Sequence, residues 1–162
     1  YALAKDFGRR VLLVDGDFKK PSLSRYTGSG PGPGLTDVLA GTHQPDSVIW
    51  EGRHRQLHLL ECGQVKGSPS RLWKSEITIK LLEVLGAQYD YLLLDTPPVL
   101  PLVDMSLIAE VVDGIVLVVR SGQTPKTAVQ KAVMSLPSSK LVGTVLNGVA
   151  VSHTSYYYHT KG

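Results

Sequence analysis

The chain has 162 residues, 43% of them hydrophobic and 19% charged: enough for one domain with a core, and too weakly charged for a disordered chain. One cysteine, Cys62, excludes an internal disulfide framework and a cysteine-rich zinc site, so a reducing, cytoplasmic setting is expected, and no apolar run is long enough to cross a bilayer. The net charge of +3 comes from the first 25 residues, where Lys5, Arg9, Arg10, Lys19, Lys20 and Arg25 face Asp6, Asp15 and Asp17, a placement that favours a local anion site over a nucleic-acid surface.

In chain order, Tyr1 to Phe7 reads as a helical fragment stopped at Gly8. A crossover helix is normally fed by an earlier strand, and none precedes it. With Tyr1 rather than Met in first place, the sequence is expected to begin inside a longer gene product, its fold cut open at the N-terminus.

Five short apolar runs follow, at 11–14, 57–60, 91–94, 115–119 and 141–146. The first, third and fourth are unbroken, the pattern of strands covered on both faces. A helix is predicted from Ser68 as N-cap and Pro69 as first helical residue through Leu72, Trp73, Ile77, Leu81, Leu82 and Leu85, with others near 104–112 and 125–135. This alternation predicts an α/β fold with a doubly wound, mostly parallel sheet and helices on both faces. The glycine- and proline-rich residues 28–34 lack a following Lys-Ser/Thr and are read as a flexible surface loop, not a phosphate loop.

Ligands of such sheets gather beyond the carboxyl ends of the strands. Asp15 and Asp17 follow the first run, Asp95 the third, Arg120 the fourth and Asn147 the fifth. Carboxylates converging at a sheet edge suit Mg²⁺, bound directly or through water, and Lys19 and Lys20 suit phosphate neutralisation. Each Asp alone also reads as an ordinary turn or capping residue. Cys62 reads as an inert buried thiol, Trp50 and Trp73 as packing anchors, and His153 and His159 as solvated residues.

VLLVDGDFKKP (11–21) resembles the Walker A′ motif of the bacterial tyrosine kinases of capsule and exopolysaccharide synthesis, and YLLLDTPPVLPLVD (91–104) resembles their Walker B segment. PGLTDVLAG (33–41), GIVLVVRSGQT (114–124), VGTVLNGV (142–149) and the tyrosines at 156–158 fit the same family, which belongs to the P-loop ATPases with the MinD-like and ParA-like proteins. The resemblance implies ATP and Mg²⁺, with Asp15, Asp17 and Asp95 as catalytic and metal residues. By the same resemblance Asp15 is the stronger catalytic candidate, Lys19, Lys20, Arg120 and Asn147 contact nucleotide, and Tyr156, Tyr157 and Tyr158 are phosphoacceptors.

Two departures stand out. Lys19 occupies a position where the family usually has Arg, keeping the charge but not the bidentate geometry. No G-x-x-x-x-G-K-[ST] occurs in the chain, so these residues alone are expected to bind ATP weakly. The expected organisation is a partial kinase domain over 1–151 and a flexible tyrosine-rich tail over 152–162. The resemblance further implies self-association with phosphorylation between copies, a membrane-anchored chain-length regulator as partner (fused or separate), no nucleic-acid partner, and a place at the inner face of the plasma membrane. Two other readings are a MinD-like or ParA-like ATPase, which needs no tyrosine acceptors, and a non-catalytic interaction module.

Overall fold

The computed structural model describes residues 1–28, 32–65, 73, 76–100 and 103–149. They fall into two compact units that divide between Val112 and Asp113.

The first unit is built on strands β1 (Val11–Asp15), β2 (Ile49–Glu51), β3 (Leu57–Leu60) and β4 (Tyr91–Asp95), in the order β2-β3-β1-β4. β1 is parallel to both β3 and β4, whereas β2 folds back on β3 as an antiparallel partner. The apolar run of β1 takes the central place, with Val11, Leu12 and Val14 fully buried. Around the sheet lie α1 (Ala2–Lys5), α2 (Leu23–Thr27), α3 (Leu35–Leu39), α4 (Glu76–Gly86) and α5 (Val103–Val111). Helix α4 buries Thr78, Leu81 and Leu85, and α5 buries Met105, Ile108 and Ala109, each at the three- and four-residue spacing that makes one helical face.

Some expectations change here. The unbroken run in β4 does not mean cover on both faces: Tyr91 and Leu93 are exposed whereas Leu92 and Leu94 are half-buried, so only one face is covered among the described residues. Trp73 is a packing anchor, its ring centroid 5.0 Å from that of Phe18, but Trp50 on the edge strand β2 is 47% exposed and is not. The helix expected from Ser68 is present over Glu76–Gly86, while Ser68, Pro69 and Leu72 lie outside the described residues.

The second unit is a βαβ element: β5 (Ile115–Arg120), α6 (Lys126–Ser135) and β6 (Leu141–Asn147), with the two strands parallel. The register slips once, from Ile115↔Leu141 to Val116↔Gly143, leaving Val142 as the extra residue of a bulge. Ile115 and Leu117 are buried, whereas Val116 and Val118 are exposed, so this unbroken run too is covered on one face.

Candidate active site

Asp15 and Asp95 end adjacent parallel strands and are direct register partners, so both carboxylates leave the same edge of the sheet. Gly16 joins them, donating its N–H to the Asp95 carbonyl at 2.8 Å. A Cβ on Gly16 would come within 2.9 Å of both Leu94 and Trp73, so Asp-Gly-Asp is spaced by the one residue that fits.

Asp15 is buried and its charge is met by backbone. The N–H groups of Ser22 and Leu23 each donate to Oδ2 at 2.8 Å, and that of Asp17 donates to Oδ1 at 3.3 Å. The carboxylate therefore anchors the first turn of α2. Asp17 lies half-buried beside it, and its Oδ1 accepts from the N–H groups of Lys19 and Lys20 at 3.1 and 3.0 Å. This turn puts both lysines at the exposed rim.

Asp95 differs from its partner. Although the residue reaches the surface, partial burial of its carboxyl first, and then the charges of Asp15 and Asp17, push it above the usual range. Ser22, whose N–H donates to Asp15, also lines the cavity beside Asp95. A cavity of about 370 Å³, with Leu13, Tyr26, Leu93 and Asp95 in its lining, opens alongside.

Glu61, just after β3, is a fourth carboxylate at this end of the sheet, and sequence reasoning passed over it. It is buried and accepts a 2.6 Å hydrogen bond from the Thr27 hydroxyl, tying the last residue of α2 to the sheet. The rule that singled out Asp15 and Asp95, a charge directly after an apolar run, would have found it. Its carbonyl also accepts from Leu35, and Gly34 sits so close to Glu61 and Gly63 that no Cβ fits there. Gly34 is therefore a buried packing position, not part of a surface loop. Next to Glu61, the buried Cys62 thiol is pushed up to about 12 by burial and by Asp15, Asp17 and Asp37, as its inert reading requires.

Among the described residues no three acidic, histidine or cysteine side chains are set to enclose a metal ion. Of the basic surplus, Lys19, Lys20 and Arg25 lie after β1, whereas Lys5, Arg9 and Arg10 precede it, so the surplus is divided between the two ends of the strand. In the second unit Arg120 and Asn147 are register partners at the carboxyl ends of β5 and β6. Asn147 Oδ1 accepts the Gly148 N–H at 2.8 Å. Tyr156, Tyr157 and Tyr158, with His153 and His159, lie outside the described residues.

No family model matches the chain. It is 35% identical over 158 residues to tyrosine-protein kinase YwqD of Bacillus subtilis, an alignment covering 95% of this chain and 67% of that protein. The VpsO kinase domain superposes with a TM-score of 0.84 at 30% identity, over 92% of this chain and 75% of that one. The septum site-determining protein MinD of Pyrococcus horikoshii, solved with Mg-ADP, superposes less closely, with a TM-score of 0.66 at 29% identity over 87% of this chain and 58% of that one. The chain spans about two thirds of the length of the tyrosine kinases YwqD and CpsD.

Proposed function

The chain belongs to the bacterial tyrosine-protein kinase family, whose reaction is phosphoryl transfer to tyrosine, and on that premise we propose that it supplies the carboxylate side of an ATP-dependent kinase site. The observation that carries this reading is the Asp15–Asp95 register pair with Asp17 alongside.

The donor set fits Mg²⁺. Asp95 is raised first by burial and then by the charges of Asp15 and Asp17, and a divalent cation relieves that repulsion. Asp15, Asp17 and Asp95 would hold the ion, which when bound would supply positive charge to the ATP phosphates. Asp15, committed to three N–H donors, orients α2 and the loop before it. In place of Asp15, the candidate expected from sequence, Asp17 is proposed to take the proton of an attacking tyrosine hydroxyl, because only its Oδ1 is used by the turn bonds from Lys19 and Lys20.

Lys19 and Lys20 stand at the rim where phosphate charge would lie. Arg120 and Asn147 are assigned to the nucleotide because they cap neighbouring strand ends in their own unit; an amide both donates to and accepts from a base edge. The acceptors are Tyr156, Tyr157 and Tyr158 in a tail over 152–162, offered between copies. The wider role is in capsule or exopolysaccharide production with a membrane-anchored regulator, and it rests on the family premise.

The test is to incubate the intact gene product with Mg²⁺ and ATP and map phosphate by mass spectrometry. Phosphate on the 156–158 cluster is expected. Steady ATP hydrolysis with those tyrosines unmodified would replace this reading with a MinD-like one.

A further inference from the structure

Glu61 stands beside the carboxylates assigned to the reaction without belonging to them. Val14 and Leu60 are register partners on the parallel strands β1 and β3, so Asp15 and Glu61, the next residue of each, leave the sheet at the same edge. Both are buried, and both accept hydrogen bonds from α2. Asp15 Oδ2 takes the N–H groups of Ser22 and Leu23 at the start of the helix, each at 2.8 Å. Glu61 Oε1 takes the Thr27 hydroxyl at its end, at 2.6 Å.

A helix of five residues is too short to hold its own place. Leu23 is its one buried residue, and Gly28 closes it with a φ of 73° and an N–H donated to the Ser24 carbonyl at 3.1 Å. The orientation of α2 therefore depends on what grips its two ends. Asp15 alone would leave a pivot, and Glu61 supplies the second fixed point. Ser22, Leu23 and Tyr26, three and four residues apart, share the face so oriented, and with Asp95 they line the cavity of about 370 Å³. The turn that carries Lys19 and Lys20 is held separately, because their N–H groups close on Asp17.

We propose that Glu61 is a positioning residue for phosphoryl transfer: through Thr27 it fixes α2 as the wall of the cavity beside Asp95 against which the acceptor tyrosine is held. Leu13, Leu23, Leu93 and Leu94 give that cavity apolar sides for a ring, and Asp95 gives it a polar border for a hydroxyl. A wall that swings on Asp15 would leave the nucleotide contacts intact and misalign the acceptor. The role rests on the kinase reading.

The test compares Glu61→Ala, Glu61→Gln and Thr27→Val in the intact kinase with Mg²⁺ and ATP, at a temperature where every variant is folded. Glu61→Ala should slow phosphate transfer about ten-fold and leave the apparent KM for ATP within about two-fold. Glu61→Gln keeps an oxygen that accepts the Thr27 hydroxyl and should restore most of the rate. Thr27→Val should match Glu61→Ala, and the double variant should be no slower than either, since all three lose one bond. Amide hydrogen exchange adds a readout that needs no catalysis: Glu61→Ala should speed exchange at Gly28 and leave the β1 amides unchanged. An unchanged transfer rate in Glu61→Ala, a glutamine variant as slow as the alanine one, additive losses in the double variant, or exchange that rises in β1 as much as at Gly28 would overturn the proposal. An unaltered protein that transfers no phosphate would instead end the kinase reading and this role with it, while selective exchange at Gly28 would still show that Glu61 holds α2.

Discussion

Asp15 and Asp95 are register partners on adjacent strands, yet the fold treats their charges in opposite ways. Asp15 receives three backbone N–H groups, whereas Asp95 is raised by burial and by its acidic neighbours. The same substitution should therefore have opposite effects on stability. Asp15→Asn sets an amide N–H₂ against donors it cannot accept from and should cost about 2–3 kcal/mol in denaturant unfolding. Asp95→Asn should raise the melting temperature at pH 7 in the absence of divalent ions.

The sign for Asp95 follows from linkage. A carboxyl raised in the folded state weakens the fold once ionised, and that penalty disappears as pH falls through the folded value towards the unfolded one, near 3.8. The gain from Asp95→Asn should therefore shrink on acidification and be gone below about pH 4. A constant gain across pH would assign it to packing. In the intact kinase the same change should lower the turnover rate by about 10²-fold or more, so stability and activity separate.

Gly16 is required by space. Gly16→Ala would press a methyl against Leu94, Trp73 and the Asp95 carbonyl, contacts of 2.9, 2.9 and 3.0 Å. Overpacking of this kind costs about 1–3 kcal/mol, read as a lower urea midpoint at unchanged slope. Unchanged stability would mean that β4 yields freely.

Much of this architecture is legible in the sequence because apolar runs ending in a charge carry two signals at once. VLLVD and YLLLD announce both a strand and the functional edge of its sheet. What separates them from LHLLE is only the chemical expectation placed on Asp, and so Glu61 went unread. The three-residue β2 is too short for periodicity to declare. The order β2-β3-β1-β4 depends on pairings such as Val11 with Leu57 and with Tyr91, which no local pattern contains. The unbroken runs of β4 and β5 looked like strands covered on both faces, because composition records apolar side chains and not what lies against them.

The Thr27–Glu61 bond gives a local test of how α2 is held. Its 2.6 Å length and charged acceptor predict that Thr27→Val costs about 1.5–3 kcal/mol, while Thr27→Ser retains most of the stability. If valine and serine behave alike, the hydroxyl is not what fastens the end of α2.

Lys19 and Lys20 address the nucleotide assignment. Replacing both with Ser in the intact kinase should raise the apparent KM for ATP by about ten-fold or more, at the 1.4 kcal/mol per decade of lost charge-assisted contact, with a smaller effect on kcat. Unchanged KM would return the two side chains to the solvated surface.

Cys62 provides a readout of the acidic cluster that needs no catalysis. Its thiol is pushed up to about 12 by burial and by Asp15, Asp17 and Asp37, so at pH 8 the folded thiolate fraction is about 10⁻⁴. Native protein should resist iodoacetamide and react only after unfolding. The ordinary value is 9.0, so the folded state holds its proton more tightly, and the thiol withdraws stability as pH rises from about 9 towards about 12. Cys62→Ala should flatten that alkaline loss. Asp17→Asn should make the native thiol modestly more reactive by removing one of the three charges that raise it, whereas Asp46→Asn should not. Equal labelling of native and unfolded protein at pH 8 would show that the strand ends are open enough for solvent to screen the carboxylates from Cys62.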